Sequence, residues 1–334
     1  MLRNYFFPLF CCLILACSTE PEQKTKPSSR KSKAINSAEK PITVPKFNTD
    51  SAYYFVEKQV SFGPRVISSK SWKNCALWLE KKLKTYTQNV IIQEAPITTY
   101  DGKGHTLKNI IASFSPNKNN RIALFAHWDS RHIADHDTKN KDAPILGAND
   151  GGSGVGVLLE LARQFSIKNP NIGIDIILFD AEDYGQPEDS KFPPMQDSWC
   201  LGSQYWSKNP HKQNYFARYG ILLDMVGAKD ARFRHEEISR YYASNILQKI
   251  WRKANRLGFG NYFIFENAKQ ILDDHYYVNI IAGIPTIDII EYDPSTKTNF
   301  NKHWHTHKDD MNNIDKTTLN AVGQTLLEVI YTEQ

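Results

Sequence analysis

Four nearly continuous apolar runs of strand length constrain this chain most: RIALFAH (121–127), IDIILFD (174–180), YGILLDM (219–225) and IPTIDII (284–290). A strand with one face in water alternates apolar and polar residues, whereas these runs are apolar on both faces. Such strands need helices on each side, and segments with helical periodicity occur over 70–85, 155–165, 237–257 and 316–331. Two further strand candidates, 89–94 and 107–114, come earlier in the chain. The pattern predicts a single α/β domain with a central, mostly parallel, twisted sheet and helices on both faces. No internal repeat and no second domain are visible. Functional groups in such sheets gather beyond the carboxyl ends of the strands, so the polar residues that end these runs matter most.

The first run ends in AHWDSR, with His127 and Asp129 at its mouth. A lone histidine there is more often structural, with Asp129 as the partner that orients it. Asp150 sits in the glycine-rich turn LGANDGGSG before the 155–165 helix. The G-x-x-x-x-G-K-[ST] spacing of a phosphate loop is absent from that turn. Glu182 and Asp183 follow the second run. Adjacent side chains there point different ways, so one can hold a metal while the other faces substrate as a general acid/base. Asp224 ends the third run in an apolar setting, which is costly unless the charge is paired or bound to a cation. Asp273, Asp274, His275 and Asp288 come from the segment around the fourth run. Finally, NKHWHTHKDD places His303, His305 and His307 at every second position, where an extended chain would turn all three to one face.

In this order, His127-x-Asp129, Asp150 in GANDGGSG, the Glu182-Asp183 pair, Asp224 in LLDMVG and a late histidine resemble the zinc peptidases of the M28 family, over roughly residues 50–334. Within that fold, DDH at 273–275 followed by WHT at 304–306 resembles the zinc-dependent glutaminyl cyclases of the animal type, which also occur in some bacteria. The resemblance implies a single Zn2+ held by Asp150, Asp183 and His305, with a fourth position open to water or a substrate oxygen. It implies Glu182 as general acid/base, Asp224 and Asp273 as a hydrogen-bonded acid pair with Glu182, and Trp304 as a wall of the glutamine pocket. It leaves His303 and His307 to solvent or to the support of His305. The implied substrates are peptides or proteins with N-terminal glutamine, converted to pyroglutamate with release of ammonia. There are three departures from the animal enzymes. Asp183 replaces a glutamate and Asp288 replaces a histidine. The loop YGQPEDSKFPPMQDSW is longer than theirs and carries Trp199 at its end as the candidate for a missing pocket tryptophan.

A two-zinc aminopeptidase is the rival, because His127, Asp150, Asp183, Asp224 and His305 supply the five side chains such an enzyme uses. His127 and Asp224 would then hold a second metal, Asp150 would bridge, and Glu182 would activate a water. A third reading, a non-catalytic binding lipoprotein of the same fold, predicts lost ligands or a lost glutamate, and neither is lost.

The chain starts MLRNYFFPLFCCLILACSTE, with Arg3 followed by an apolar run from Tyr5 to Ala16. That run is short for a bilayer span and has signal-peptide proportions. Its end, LILAC, resembles a bacterial lipobox in which Cys17 is lipidated; an ordinary signal peptide is the alternative. The expected organisation is a leader over 1–16, lipidated Cys17 and a flexible Lys/Ser/Pro-rich tether over 17–46, and a catalytic domain over 47–334. This places the chain on the periplasmic side of an envelope membrane, the outer one favoured because Ser18 rather than aspartate follows Cys17.

The formal charge of +5 belongs to the N-terminal part. Beyond Arg3 and the seven Lys/Arg and three Glu of residues 18–46, the remainder carries 33 basic and 33 acidic residues. No nucleic-acid partner is expected, membrane contact is expected through Cys17 alone, and a monomer is the default. Cys75 and Cys200 are the two cysteines left after residue 17, too few for a disulfide framework, and their pairing stays open.

Overall fold

The computed structural model describes residues 43–334; the expected leader, Cys17 and the tether up to residue 42 lie outside the described residues. The strands are β1 (Val90–Thr98), β2 (Gly104–Phe114), β3 (Arg121–His127), β4 (Gly173–Phe179), β5 (Gly220–Asp224), β6 (Phe233–His235), β7 (Phe263–Asn267) and β8 (Thr286–Ile290). The helices are α1 (Thr49–Val60), α2 (Lys70–Lys84), α3 (Gly152–Ile167), α4 (Leu201–Lys208), α5 (Glu237–Arg256), α6 (Asp274–Tyr277) and α7 (Lys316–Tyr331).

The main sheet has six strands in the order β1-β2-β4-β3-β5-β8. β4, β3, β5 and β8 run parallel, β2 lies antiparallel to β4, and β1 lies antiparallel to β2. The sheet is therefore mixed, with a parallel centre and an antiparallel hairpin on one edge. β3 explains why the central runs carry no polar alternation. Leu124 and Ala126 point into the core shared with α1, α2, α3, α5 and α7, while Ala123 and Phe125 point into a second core with Trp206 and Val278. Both faces of the strand are dry.

Residues 43–46, expected as the end of the tether, lie against the domain. The carbonyls of Thr43, Lys46 and Pro45 accept hydrogen bonds from Lys168, Gln164 and Gln324 respectively. α1, which the periodicity reading lacks, buries Ala52, Phe55, Val56 and Gln59, an i, i+3, i+4, i+7 stripe that covers α3. Side-chain caps start several helices: Asn48 accepts from Ser51 N at α1, Ser69 from Trp72 N at α2, and Asp315 from Thr317 N and Thr318 N at α7. Among the described residues no helix is long and apolar enough to cross a membrane.

Candidate metal and catalytic site

The parallel strands deliver their polar ends to one side of the sheet. His127 is the last residue of β3, Asp224 the last of β5, and Glu182 and Asp183 lie just past β4. Asp150 immediately precedes α3, whose first turn comes very close to β3. A Cβ on Gly151 would stand 2.4 Å from the His127 carbonyl oxygen and 2.5 Å from its Nε2, so only glycine permits this approach.

Asp150, Asp183 and His305 meet with their donor atoms within 4.8 Å of one another. His305 Nε2 lies 3.2 Å from Asp183 Oδ1 and 3.7 Å from Asp150 Oδ2. The other ring nitrogen, Nδ1, faces Asp135 Oδ1 at 3.0 Å, and Arg131 holds Asp135 from behind at 2.7 Å. Asp183 Oδ2 is buried without a partner. Burial, and then the charge of Asp183, push Asp150 up to about 8. Two buried carboxylates beside one imidazole, with an oxygen left over, form a donor set suited to a divalent cation, which would remove the repulsion between them.

His127 stands beside this group. Its Nε2 is 3.1 Å from Asp150 Oδ1 and 3.2 Å from Asp224 Oδ1, and its Nδ1 is 3.5 Å from Asp129 Oδ1. Asp129 also accepts the backbone N–H groups of Glu182 and Asp183, at 3.2 and 3.1 Å, and so shapes the turn after β4. His127, Asp150 and Asp224 form a second triad that could hold a metal ion. Asp309, absent from the sequence reading, accepts from Asn149 N and Asp150 N at 2.8 and 3.1 Å and holds the Asp150 turn in place.

Glu182 keeps a carboxylate oxygen close to His127 and Asp183, its Oε2 lying 3.9 Å from His127 Nδ1, while its Oε1 accepts a hydrogen bond from the Cys200 thiol at 3.3 Å. Burial raises its pKa well above the usual carboxylate range; His127 opposes the rise, and Asp183, Asp273 and Asp274 add to it. Glu182, Asp224 and Asp273, the expected acid set, line one pocket together. Asp224 is engaged by His127, and Asp273 caps α6 through Asp274 N. The three carboxylates are neighbours, and carboxylates this close repel unless a proton is shared among them. Asp273 is pushed up to about 6, by burial and then by Asp224. Behind it, Asp288 lies 3.8 Å from His275 Nδ1, and His275 Nε2 lies 3.2 Å from Glu236. Cys75 and Cys200 are separate buried thiols.

These groups open into a pocket of about 240 Å³ walled by Trp199, Trp304, Phe300 and Leu272. Trp304 stacks on His305, with ring centres 3.7 Å apart and planes at 22°. Trp199 lies parallel to His305 at 6.0 Å and against Gly185, with the Arg131 guanidinium 4.3 Å from its ring centre. The long 184–199 loop thus ends in an aromatic residue that reaches the pocket. A larger hollow, about 1060 Å³ between α2 and the β1–β2 hairpin, holds none of these groups.

The three alternating histidines do not share a face, because residues 302–307 form turns rather than a strand. His305 adopts φ +55°, which breaks the alternation and sends its ring inward. His307 Nε2 instead meets the carbonyl of Asn140 at 3.2 Å, and His303 is partly exposed.

The family model described as peptidase family M28 matches residues 109–330. A solved glutaminyl cyclase of Tannerella forsythia is 52% identical with TM-score 0.85, covering 87% of this chain and 100% of that one. A solved Zn-dependent exopeptidase of Parabacteroides distasonis is 54% identical with TM-score 0.86, at the same coverage of 87% and 100%. The glutaminyl-peptide cyclotransferase of Bos taurus is 26% identical over 250 residues, 66% of this chain; this chain spans 64% of the bovine enzyme's length.

Proposed function

The chain belongs to peptidase family M28, and within it we propose a zinc-dependent glutaminyl-peptide cyclotransferase, an acyltransferase acting on peptides or proteins with N-terminal glutamine. The observation that carries this reading is the meeting of Asp150, Asp183 and His305 at a small aromatic-walled pocket beside a carboxylate of raised pKa, Glu182. A bound Zn2+ would polarise the γ-carbonyl and stabilise negative charge on its oxygen.

The remaining work falls to the side chains. Trp304 and Trp199 wall the pocket that takes the glutamine side chain. This brings the γ-carboxamide carbon within reach of the substrate's own α-amine. As that nitrogen attacks, Glu182 takes its proton and returns it to the departing nitrogen, so ammonia leaves and the five-membered lactam closes. Burial among other acids makes Glu182 a good proton carrier, since a carboxylate of ordinary pKa would give up a proton readily but take one poorly.

Incubation of purified protein with a Gln-peptide and with a Leu-arylamide, alongside metal analysis, tests the proposal. Ammonia and pyroglutamate with about one zinc per chain are expected. The triad of His127, Asp150 and Asp224 favours the second reading, a two-zinc aminopeptidase, and leucine release with two zincs would establish it instead. The leader-like N-terminus ending in Cys17 supports a further part of the proposal, an exported lipoprotein on the periplasmic side of the outer membrane.

A further inference from the structure

The end of the domain away from the pocket carries different chemistry. α3 leads from Asp150 across the sheet to Lys168, about 24 Å by the rise of its 16 residues. There Lys168 Nζ donates to the carbonyl of Thr43, the first described residue. The Lys168 carbonyl accepts from the hydroxyl of Tyr331 at the end of α7. The next residue, Thr332, lines a surface groove of about 450 Å³ with Lys249, Arg252, Lys253 and Arg256 of α5. Those four cations are spaced i, i+3, i+4, i+7 and form one helix face. No acidic residue occurs in α5 after Glu237. Glu333 is committed to Lys249 and Arg218, and Arg252 and Arg256 form no ion pair among the described residues. Ile167, beside Lys168, is 67% exposed.

We propose that this face, comprising the α5 groove, Ile167 and the entry of the chain at Thr43, docks on an anionic lipid surface and turns the catalytic pocket away from the membrane. Clustered Lys/Arg on a helix face bind anionic headgroups, each adding roughly fivefold in affinity, and an apolar side chain at the rim can enter the interface. The proposal rests on the lipoprotein reading for the nearness of a membrane, whereas the surface itself can be tested without the lipid.

The test uses residues 18–334 made without the leader and therefore unlipidated. Residues 42–334 form a compact unit of their own, and 18–334 retains all of it. Flotation with phosphatidylcholine vesicles is compared with flotation with vesicles in which part of that lipid is replaced by phosphatidylglycerol. Binding is expected only to the anionic vesicles, weakened by salt, and at least about tenfold weaker in the double variant Arg252→Glu, Arg256→Glu. Turnover of a soluble Gln-peptide is expected to be unchanged in that variant. Equal binding to neutral vesicles, undiminished binding by the double variant, or preference for a DNA duplex over anionic vesicles would overturn the proposal. The mass of the N-terminal peptide of envelope-extracted protein reports lipidation of Cys17 separately, so failure of the anchor and failure of the surface are told apart.

Discussion

Asp135 places a carboxylate oxygen 3.0 Å from Nδ1 of His305 and so determines which ring nitrogen faces Asp150 and Asp183. Burial works against the charge of Asp135, but hydrogen bonds from His305 and Arg131 outweigh it and hold the carboxyl well below its usual range. An acid behind a metal-ligating imidazole typically contributes about 10- to 100-fold to metal affinity. Asp135→Ala is therefore expected to weaken zinc binding by about that factor with the fold intact. Competition with a chromophoric chelator measures it, and wild-type affinity in the variant would remove Asp135 from the site.

Glu182 is next to Asp183 in sequence; its Oε1 takes the Cys200 thiol while Asp183 meets His305. Exchange of its carboxylate for an amide is expected to leave metal content unchanged and to lower kcat by roughly a hundredfold to ten-thousandfold, the range for a lost general base. Metal analysis and steady-state kinetics on Glu182→Gln decide the point. Full activity would assign the proton transfer to another group.

The Cys200 thiol is the side-chain donor that Glu182 Oε1 receives. A thiol is a weak donor, and a hydrogen bond of ordinary strength is worth about 0.5–1.5 kcal/mol, enough to bias the direction of a carboxyl group. Cys200→Ala should reduce kcat by roughly tenfold with little change in KM, and Cys200→Ser, which restores a donor, should recover most of it. Equal losses in both variants would mean that Cys200 matters for packing rather than for aiming Glu182.

The central strands could be read from sequence because both of their faces are dry, so β3, β4, β5 and β8 stand out without any alternation. α4 could not, since it starts from Cys200 in a left-handed conformation with no side-chain cap, and no start signal precedes it. The carboxylates at strand ends were visible for a local reason, as each interrupts or follows an apolar run. Asp135, Asp309 and Cys200 were not, because their roles arise only when distant segments meet; Asp309 reaches Asp150 N across 159 residues of chain. Equal spacing of His303, His305 and His307 suggested a shared face, but that inference needs an extended backbone, and the turn at His305 removes it.

Glu236 carries the last prediction, one of stability with pH. Its carboxylate caps α5 by accepting Ile238 N and Ser239 N at 2.8 and 2.7 Å, accepts Ile271 N at 3.0 Å, and lies 3.2 Å from His275 Nε2. Burial would raise its pKa, but the His275 interaction and the backbone donors prevail and bring it from 4.5 to about 2. A folded-state pKa below the unfolded one stabilises the fold fully above about 4.5, and that contribution is lost as pH falls towards about 2. Glu236→Gln keeps the shape but loses the charge, at an expected cost of about 2 kcal/mol at neutral pH. Urea unfolding of both proteins at pH 7 and at pH 3 should show the gap narrowing at the lower pH, because at pH 3 the carboxyl is protonated in the unfolded chain but still ionised in the folded one, so unfolding takes up a proton and part of the advantage of the charge is lost. A gap of equal size at both pH values would mean that the cap works through its shape alone.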